Sequence, residues 1–227
     1  MNCRIEGGNF PVAICEMEPG QAIMCESGAM SWMSGGVRME TNTGGGLGKM
    51  LGRAFAGESL FMNRYVADSA GTLAMSAKAP GEIREIMITP DHPIVAQKGA
   101  FLAMDEGVDL SIFFQKKIGS GLFGGEGFIM NKLSGNGKAL IEIDGGVVEY
   151  TLAPGEKMTL DTGYLVMMDD TCSIDIQMIK GVGNILFGGE GLFNTVVTGP
   201  GKVMLQTQPM VQFVTKIAEM MALINKK

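Results

Sequence analysis

Few residues in this chain could do chemistry. The single histidine, His92, sits in Asp91-His92-Pro93. An imidazole beside a carboxylate is the raw material of a general base. Neighbours in an extended stretch point to opposite faces, and the sequence holds no nucleophile elbow. His92 is therefore expected to be an exposed or turn-capping side chain. Three glutamates recur in near-identical settings: Gly57-Glu58, Gly125-Glu126 and Gly189-Glu190. Three carboxylates brought to one axis could hold a cation or move a proton. Repetition argues instead for a turn role, because repeats copy structure whereas active sites are usually unique. Asp105-Glu106 and Asp169-Asp170, with Ser34-Gly35 in their place near the N-terminus, read as solvated turn residues. No spaced carboxylate series of the calcium-loop kind follows them.

The loop Gly44-Gly45-Gly46-Leu47-Gly48-Lys49 suggests a phosphate cradle. It matches neither the Gly-x-x-x-x-Gly-Lys-Ser/Thr loop nor Gly-x-Gly-x-x-Gly, and it lacks a β-α-β context. Cys3, Cys15, Cys25 and Cys172 form no Cys-x-x-Cys and, with one histidine, no zinc set. Buried free thiols in a reducing cytoplasm are expected of them. No catalytic residue, cofactor or metal ligand is assigned, and the chain is expected not to be an enzyme.

What must position these residues is a pattern of short strands. The 227 residues are 46% hydrophobic and 19% charged, enough to bury a sizeable core. Thirty-four glycines and eight prolines are spread as punctuation between strands. A net charge of −6 disfavours binding to phosphate backbones, and Lys116-Lys117 and Lys226-Lys227 are too short to form a basic patch. The polar start of the chain shows no signal-peptide core, and no apolar run approaches a membrane span, so a cytoplasmic location is expected.

The chain reads as one unit written three times. Gly124-Gly125-Glu126-Gly127-Phe128 returns as Gly188-Gly189-Glu190-Gly191-Leu192, with a worn copy at Ala56-Gly57-Glu58-Ser59-Leu60. Pro19-Gly20 and Pro154-Gly155 are type II turn signals, and Ala79-Pro80-Gly81-Glu82 is read as the same turn. Thr89-Pro90-Asp91-His92-Pro93 is then an insertion. A second glycine turn recurs at Gly71, Gly137 and Gly201. The units run 1–76 (with the glycine-rich loop at 44–56), 77–143 and 144–208, with residues 209–227 as a tail. Three pseudo-symmetric β-sandwiches sharing one core are the expected all-β architecture.

Two stretches break the β pattern. In residues 209–227, Met210, Phe213, Val214, Ile217, Met221 and Ile224 recur at helical spacing. This predicts an amphipathic C-terminal helix, packed on its own sheets or, alternatively, presented to a partner. Residues 44–56 carry Leu47, Met50, Leu51, Ala54 and Phe55 on one helical face. Their counterparts Leu122, Phe123, Leu186 and Phe187 also follow glycines. Together these loops form a candidate apolar interface, and Trp32 is expected in the core or at an interface.

Glu18-Pro19-Gly20, Ser27-Gly28-Ala29-Met30-Ser31-Trp32-Met33, the Gly-Glu markers and Thr198-Gly199-Pro200-Gly201 together resemble a family. It is the widespread, uncharacterised bacterial family related to the fungal altered-inheritance-of-mitochondria (mitochondrial biogenesis) proteins. The resemblance covers the chain to about residue 208. It implies a fold like that of the tryptophan RNA-binding attenuation protein, triplicated in one chain, and no established enzyme activity. Fungal relatives are associated with mitochondrial inner-membrane organisation. No functional motif carries over, and likeness of fold does not imply RNA or tryptophan binding. The acidic charge and 7% aromatic content argue against both. The expectation is a scaffold or protein-interaction protein that is homo-oligomeric or binds an unknown protein partner. The alternative is a small-molecule or lipid-binding module, peripheral to a membrane at most.

Overall fold

The computed structural model describes residues 1–40, 62–116, 127–178 and 193–224. Among the described residues, alternating and continuous apolar runs between turn residues form nineteen strands, and one α-helix follows them. In chain order the first strands are β1 (Asn2–Glu6), β2 (Val12–Met17), β3 (Ala22–Glu26), β4 (Met30–Met33), β5 (Val37–Glu40), β6 (Met62–Ala67) and β7 (Gly71–Ser76). The next six are β8 (Gly81–Ile88), β9 (Ile94–Gln97), β10 (Phe101–Asp105), β11 (Val108–Lys116), β12 (Phe128–Gly135) and β13 (Gly137–Asp144). Then come β14 (Val147–Leu152), β15 (Lys157–Asp161), β16 (Leu165–Asp169), β17 (Ser173–Met178), β18 (Phe193–Thr198) and β19 (Gly201–Gln206). The helix α1 spans Met210–Ile224.

The strands make four antiparallel sheets. The first is ordered β1-β2-β7-β4, the second β5-β6-β3-β10-β13-β8, the third β11-β12-β9-β16-β19-β14 and the fourth β15-β18-β17. The same pairing order recurs in β2-β7-β4, β8-β13-β10 and β14-β19-β16, and again in β5-β6-β3, β11-β12-β9 and β17-β18-β15. Two short joints, β10 with β3 and β16 with β9, fuse such halves into the six-stranded sheets.

The interior is divided into three clusters rather than one common core. Ala13, Leu73 and Met75 of the first sheet meet Tyr65, Leu102 and Leu140 of the second. Phe101 and Ile141 of the second meet Leu133, Val166 and Met204 of the third. Phe128, Met168 and Val203 of the third meet Leu160, Ile176 and Val197 of the fourth. The two six-stranded sheets are thus covered on both faces, which is why β3, β10, β13 and β16 read as apolar runs without alternation.

The turns follow the sequence in two places and depart from it in a third. Gly20 (φ 82°) and Gly155 (φ 77°) take the left-handed conformation a Pro-Gly turn requires. Gly81 does not. It opens β8, its N–H donates to the Asn9 carbonyl at 2.8 Å, and a Cβ there would lie 1.8 Å from the Ile143 carbonyl oxygen. Its glycine serves close backbone approach, not turning. The turn in the corresponding place, between β8 and β9, is Thr89-Pro90-Asp91-His92, closed by the His92 N–H on the Thr89 carbonyl at 3.0 Å. The expected insertion is therefore the turn itself.

The cysteines also differ from expectation. Cys3 and Cys15 face each other across β1 and β2 with their Cα atoms 3.9 Å apart, and they are joined by a disulfide. Cys25 and Cys172 are free and buried, and desolvation pushes the Cys25 thiol up to about 12. Thiol titration of unreduced protein should therefore find two of the four cysteines reactive after unfolding in guanidinium, and neither of them promptly reactive when native. Four thiols on unfolding would contradict the Cys3–Cys15 bond.

Candidate functional site

Strands β7, β13 and β19 each carry one polar residue at the same step past the glycine that opens them: Ser76, Glu142 and Gln206. Glu142 and Gln206 use it in the same way. Glu142 Oε2 accepts the backbone N–H of Lys78 at 2.8 Å, and Gln206 Oε1 accepts that of Asp144 at 3.0 Å. Each side chain thus ties the end of its strand to the segment two residues beyond the previous equivalent position. Lys78, Glu142, Asp144 and Gln206, with Glu26 and Met210, line a cleft of about 360 Å³.

The cleft is charged. The Lys78 ammonium donates to Glu142 Oε1 at 2.9 Å and also pairs with Glu26. Gln206 Nε2 donates to the Gly163 carbonyl at 2.8 Å. Asp144 Oδ2 accepts the N–H of Met210 at 2.7 Å, and Gln212 donates to Asp161 Oδ2 at 2.6 Å, so both carboxylates fasten the start of α1. Desolvation raises the Glu142 pKa despite Lys78, and burial raises that of Asp144 against the pull of the Met210 N–H. For Lys78, burial works against the charge, but Glu142 and Glu26 outweigh it and leave the pKa raised. The two partners describe the pair differently. Glu142 is 5% exposed whereas the Lys78 side chain is 50% exposed, so the cost of burial falls on the carboxylate.

The turn carboxylates have structural tasks. Asp105 Oδ2 accepts the N–H of Lys138 at 2.8 Å, Asp169 Oδ2 that of Lys202 at 2.7 Å, and Ser34 Oγ that of Thr72 at 2.9 Å. Glu106 pairs with Arg64 and Asp170 with Lys132. The sequence places these residues at equivalent turns, and the structure shows Ser34, Asp105 and Asp169 each clamping the strand that follows a glycine corner. His92 is exposed on a second cleft of about 500 Å³, near Asp91, Glu149 and Lys202. Trp32 is 50% exposed, so it does not belong to the core. No group of three or more His, Cys, Asp or Glu side chains among the described residues is placed to hold a metal ion.

The remaining predicted positions lie outside the described residues. These are Leu47, Met50, Leu51, Phe55, Leu122, Phe123, Leu186 and Phe187, and the Gly57-Glu58, Gly125-Glu126 and Gly189-Glu190 turns. The strands flanking them, β5 with β6, β11 with β12 and β17 with β18, are antiparallel partners in each case. Sequence reasoning missed the Lys78–Glu142–Gln206 seam. Its signal was a charge inside the apolar run Leu140-Ile141-Glu142-Ile143.

The helix corrects another expectation. Instead of packing on the sheets, α1 leaves Val211, Phe213, Val214, Ile217, Met220, Met221 and Ile224 between 39% and 69% exposed. Its described attachments sit at its first turn.

A family model described as mitochondrial biogenesis AIM24 matches residues 3–208. An uncharacterised protein of Streptococcus pyogenes serotype M6 is 30% identical over 213 residues, covering 90% of this chain and 84% of that protein. The crystal structure of a Streptococcus pyogenes protein, solved by structural genomics, superimposes with a TM-score of 0.79 at 25% identity. That match covers 96% of this chain and 98% of the other.

The seam yields a test. A carboxyl pKa raised by folding means that stability is fully present below the ordinary carboxylate range and falls as pH rises through the folded value. Glu142→Gln removes that loss while keeping an acceptor for the Lys78 N–H, as Gln206 does naturally. Urea unfolding should show the variant gaining on the native protein between pH 4 and pH 7. Glu142→Ala, which orphans the N–H, should cost about 1–3 kcal/mol. A Gln variant that loses as much as the Ala variant at pH 7 would show that the charge itself stabilises the seam.

Proposed function

The chain belongs to the AIM24 mitochondrial biogenesis family, and we propose that it is a non-enzymatic interaction scaffold whose C-terminal helix is a contact surface. The observation that carries this reading is the seven exposed apolar side chains of α1. A contiguous apolar face of that kind marks a surface for another molecule. Phe213, Ile217, Met220 and Ile224 follow one another at three- and four-residue steps along the helix.

The titratable groups of the polar cleft support a structural role, since each named one is engaged by a neighbour or by the backbone. We read the chain as three units, 1–76, 77–143 and 144–208, followed by the tail 209–227. The recurring pairing order supports that division. The separate expectation of free thiols in a reducing cytoplasm loses ground with Cys3 bonded to Cys15. The scaffold reading does not depend on it. No helix among the described residues is long and apolar enough to cross a membrane.

The same helix favours a second reading, contact with a lipid surface. With a net charge of −6, such contact would rest on apolar insertion and not on attraction to anionic headgroups.

The test compares the native chain with Phe213→Asp/Ile217→Asp by light scattering after gel filtration and by flotation with phosphatidylcholine vesicles. Protein association that the variant loses, with circular dichroism unchanged, is the expected result. Flotation of the native chain alone would move the reading to the lipid surface. If native and variant chains behave alike in both measurements, the helix is not the contact surface and the reading fails.

A further inference from the structure

Each six-stranded sheet is made of two three-stranded halves joined edge to edge. In the second sheet the joint pairs Ala103 with Cys25, Met104 with Met24 and Asp105 with Ile23. In the third it pairs Met167 with Ala96, Met168 with Val95 and Asp169 with Ile94. The first and fourth sheets are such halves without a complement. The first ends on β4 and the fourth on β15, and among the described residues neither strand has a partner on its outer edge.

These two edges are the missing halves of the same joint. Strand β4 pairs with β7 through Met30↔Met75, a register shift, Trp32↔Ala74 and Met33↔Leu73. Strand β10 pairs with β13 through Phe101↔Ile141, the same shift, Ala103↔Leu140 and Met104↔Ala139. Strand β16 repeats the arrangement on β19. Trp32 therefore occupies the place of Ala103 and Met167. On the other side, Leu160 lies opposite Thr195 as Ala96 lies opposite Asn131 and Cys25 opposite Asn63.

Burial records the absence of the complement. Strands β10 and β16 are buried at their first four residues, whereas β4 is half-buried at Met30 and exposed at Ser31, Trp32 and Met33. Strand β3 is buried at Ala22 to Cys25, whereas β15 is buried at Leu160 alone. In the chain itself the two edges belong to the first and last sheets, with the two six-stranded sheets packed between them.

We propose that the free edge of β4 in one copy of this chain pairs antiparallel with the free edge of β15 in the next, in the register Trp32↔Leu160, Met33↔Thr159 and Ser34↔Met158. The joined sheet has the order β17-β18-β15-β4-β7-β2 with β1 outermost, the order of the two internal six-stranded sheets with one strand added. The contact is heterologous, so each copy offers one edge of each kind and the assembly closes as a ring or extends. The first turn of helix α1 is fastened to Asp161, the last residue of β15, by Gln212. The proposal deepens the scaffold reading by naming a second copy as partner, but it rests on the sheet edges alone.

The experiment uses the full chain. Sedimentation velocity from about 1 to 100 μM should show species larger than a monomer, and Trp32→Asp should dissociate them without loss of the β-sheet circular dichroism signal. Met33→Cys/Thr159→Cys should form intermolecular disulfides on mild oxidation, because directly opposed residues bring Cβ atoms within bonding reach. Met33→Cys/Lys157→Cys, two residues out of register, should cross-link at least tenfold more slowly. A native chain that stays monomeric at 100 μM, or an oligomer whose in-register pair cross-links no faster than the off-register pair, overturns the proposal. The two readings fail separately. If Phe213→Asp/Ile217→Asp loses its association while the cross-links do not form, the edge pairing falls and the helix surface stands. If the cross-links form and the helix variant is unaffected, the reverse holds.

Discussion

The structure depends on two short antiparallel joints, β3 with β10 and β9 with β16. Each has three residue pairs in register. Three opposed residue pairs in an antiparallel ladder supply about two to four backbone hydrogen bonds, a modest net gain in water. Their importance is geometric, because a joint that aligns two three-stranded halves makes one continuous face of six strands. Met24 on one side and Met104 on the other then bury into the same core. Side chains at such joints see protein on both faces of the sheet, and no polar stripe survives there. The clamps at Asp105 and Asp169 sit at the last residue of β10 and of β16, and they hold the glycine corner through which the chain passes into the neighbouring strand.

The polar seam shows how the same position can carry different chemistry and perform the same structural task. A carboxylate at Glu142 and an amide at Gln206 each accept one backbone N–H. The carboxylate needs Lys78 to offset its desolvation, and Lys78 in turn engages Glu26 on β3. Charge is therefore drawn into a place where an amide suffices. An ion pair with its carboxylate buried and its ammonium half exposed need not add stability.

Much of the fold was legible in the sequence. The β class, the terminal helix and the Pro-Gly turns at Gly20 and Gly155 follow from local rules that the surrounding structure does not override. Gly81 was misread because Ala-Pro-Gly-Glu looks the same whether its glycine turns the chain or lets another backbone approach. That difference resides in the Ile143 carbonyl, sixty-two residues away. The cysteine bond was hidden for a related reason. The spacing of Cys3 and Cys15 acquires meaning only once β1 and β2 are known to pair with those two residues opposite. Helical periodicity located α1 but could not tell which surface would meet its apolar face, since a stripe looks alike whether it is covered or bare. The Glu142 seam was visible as an interruption in an apolar run, yet its partners come from three separate strands and a connecting segment.

Strand β1 has no counterpart on the six-stranded sheets, and it is the strand that carries the disulfide. The first sheet thus ends in a covalently stitched hem, while the fourth, β15-β18-β17, carries no disulfide among its described residues. The molecule accordingly has two chemically unlike ends. Reducing surroundings can break a covalent bond in the chain's first layer, whereas the cysteine packed against its last, Cys172, is already a free thiol.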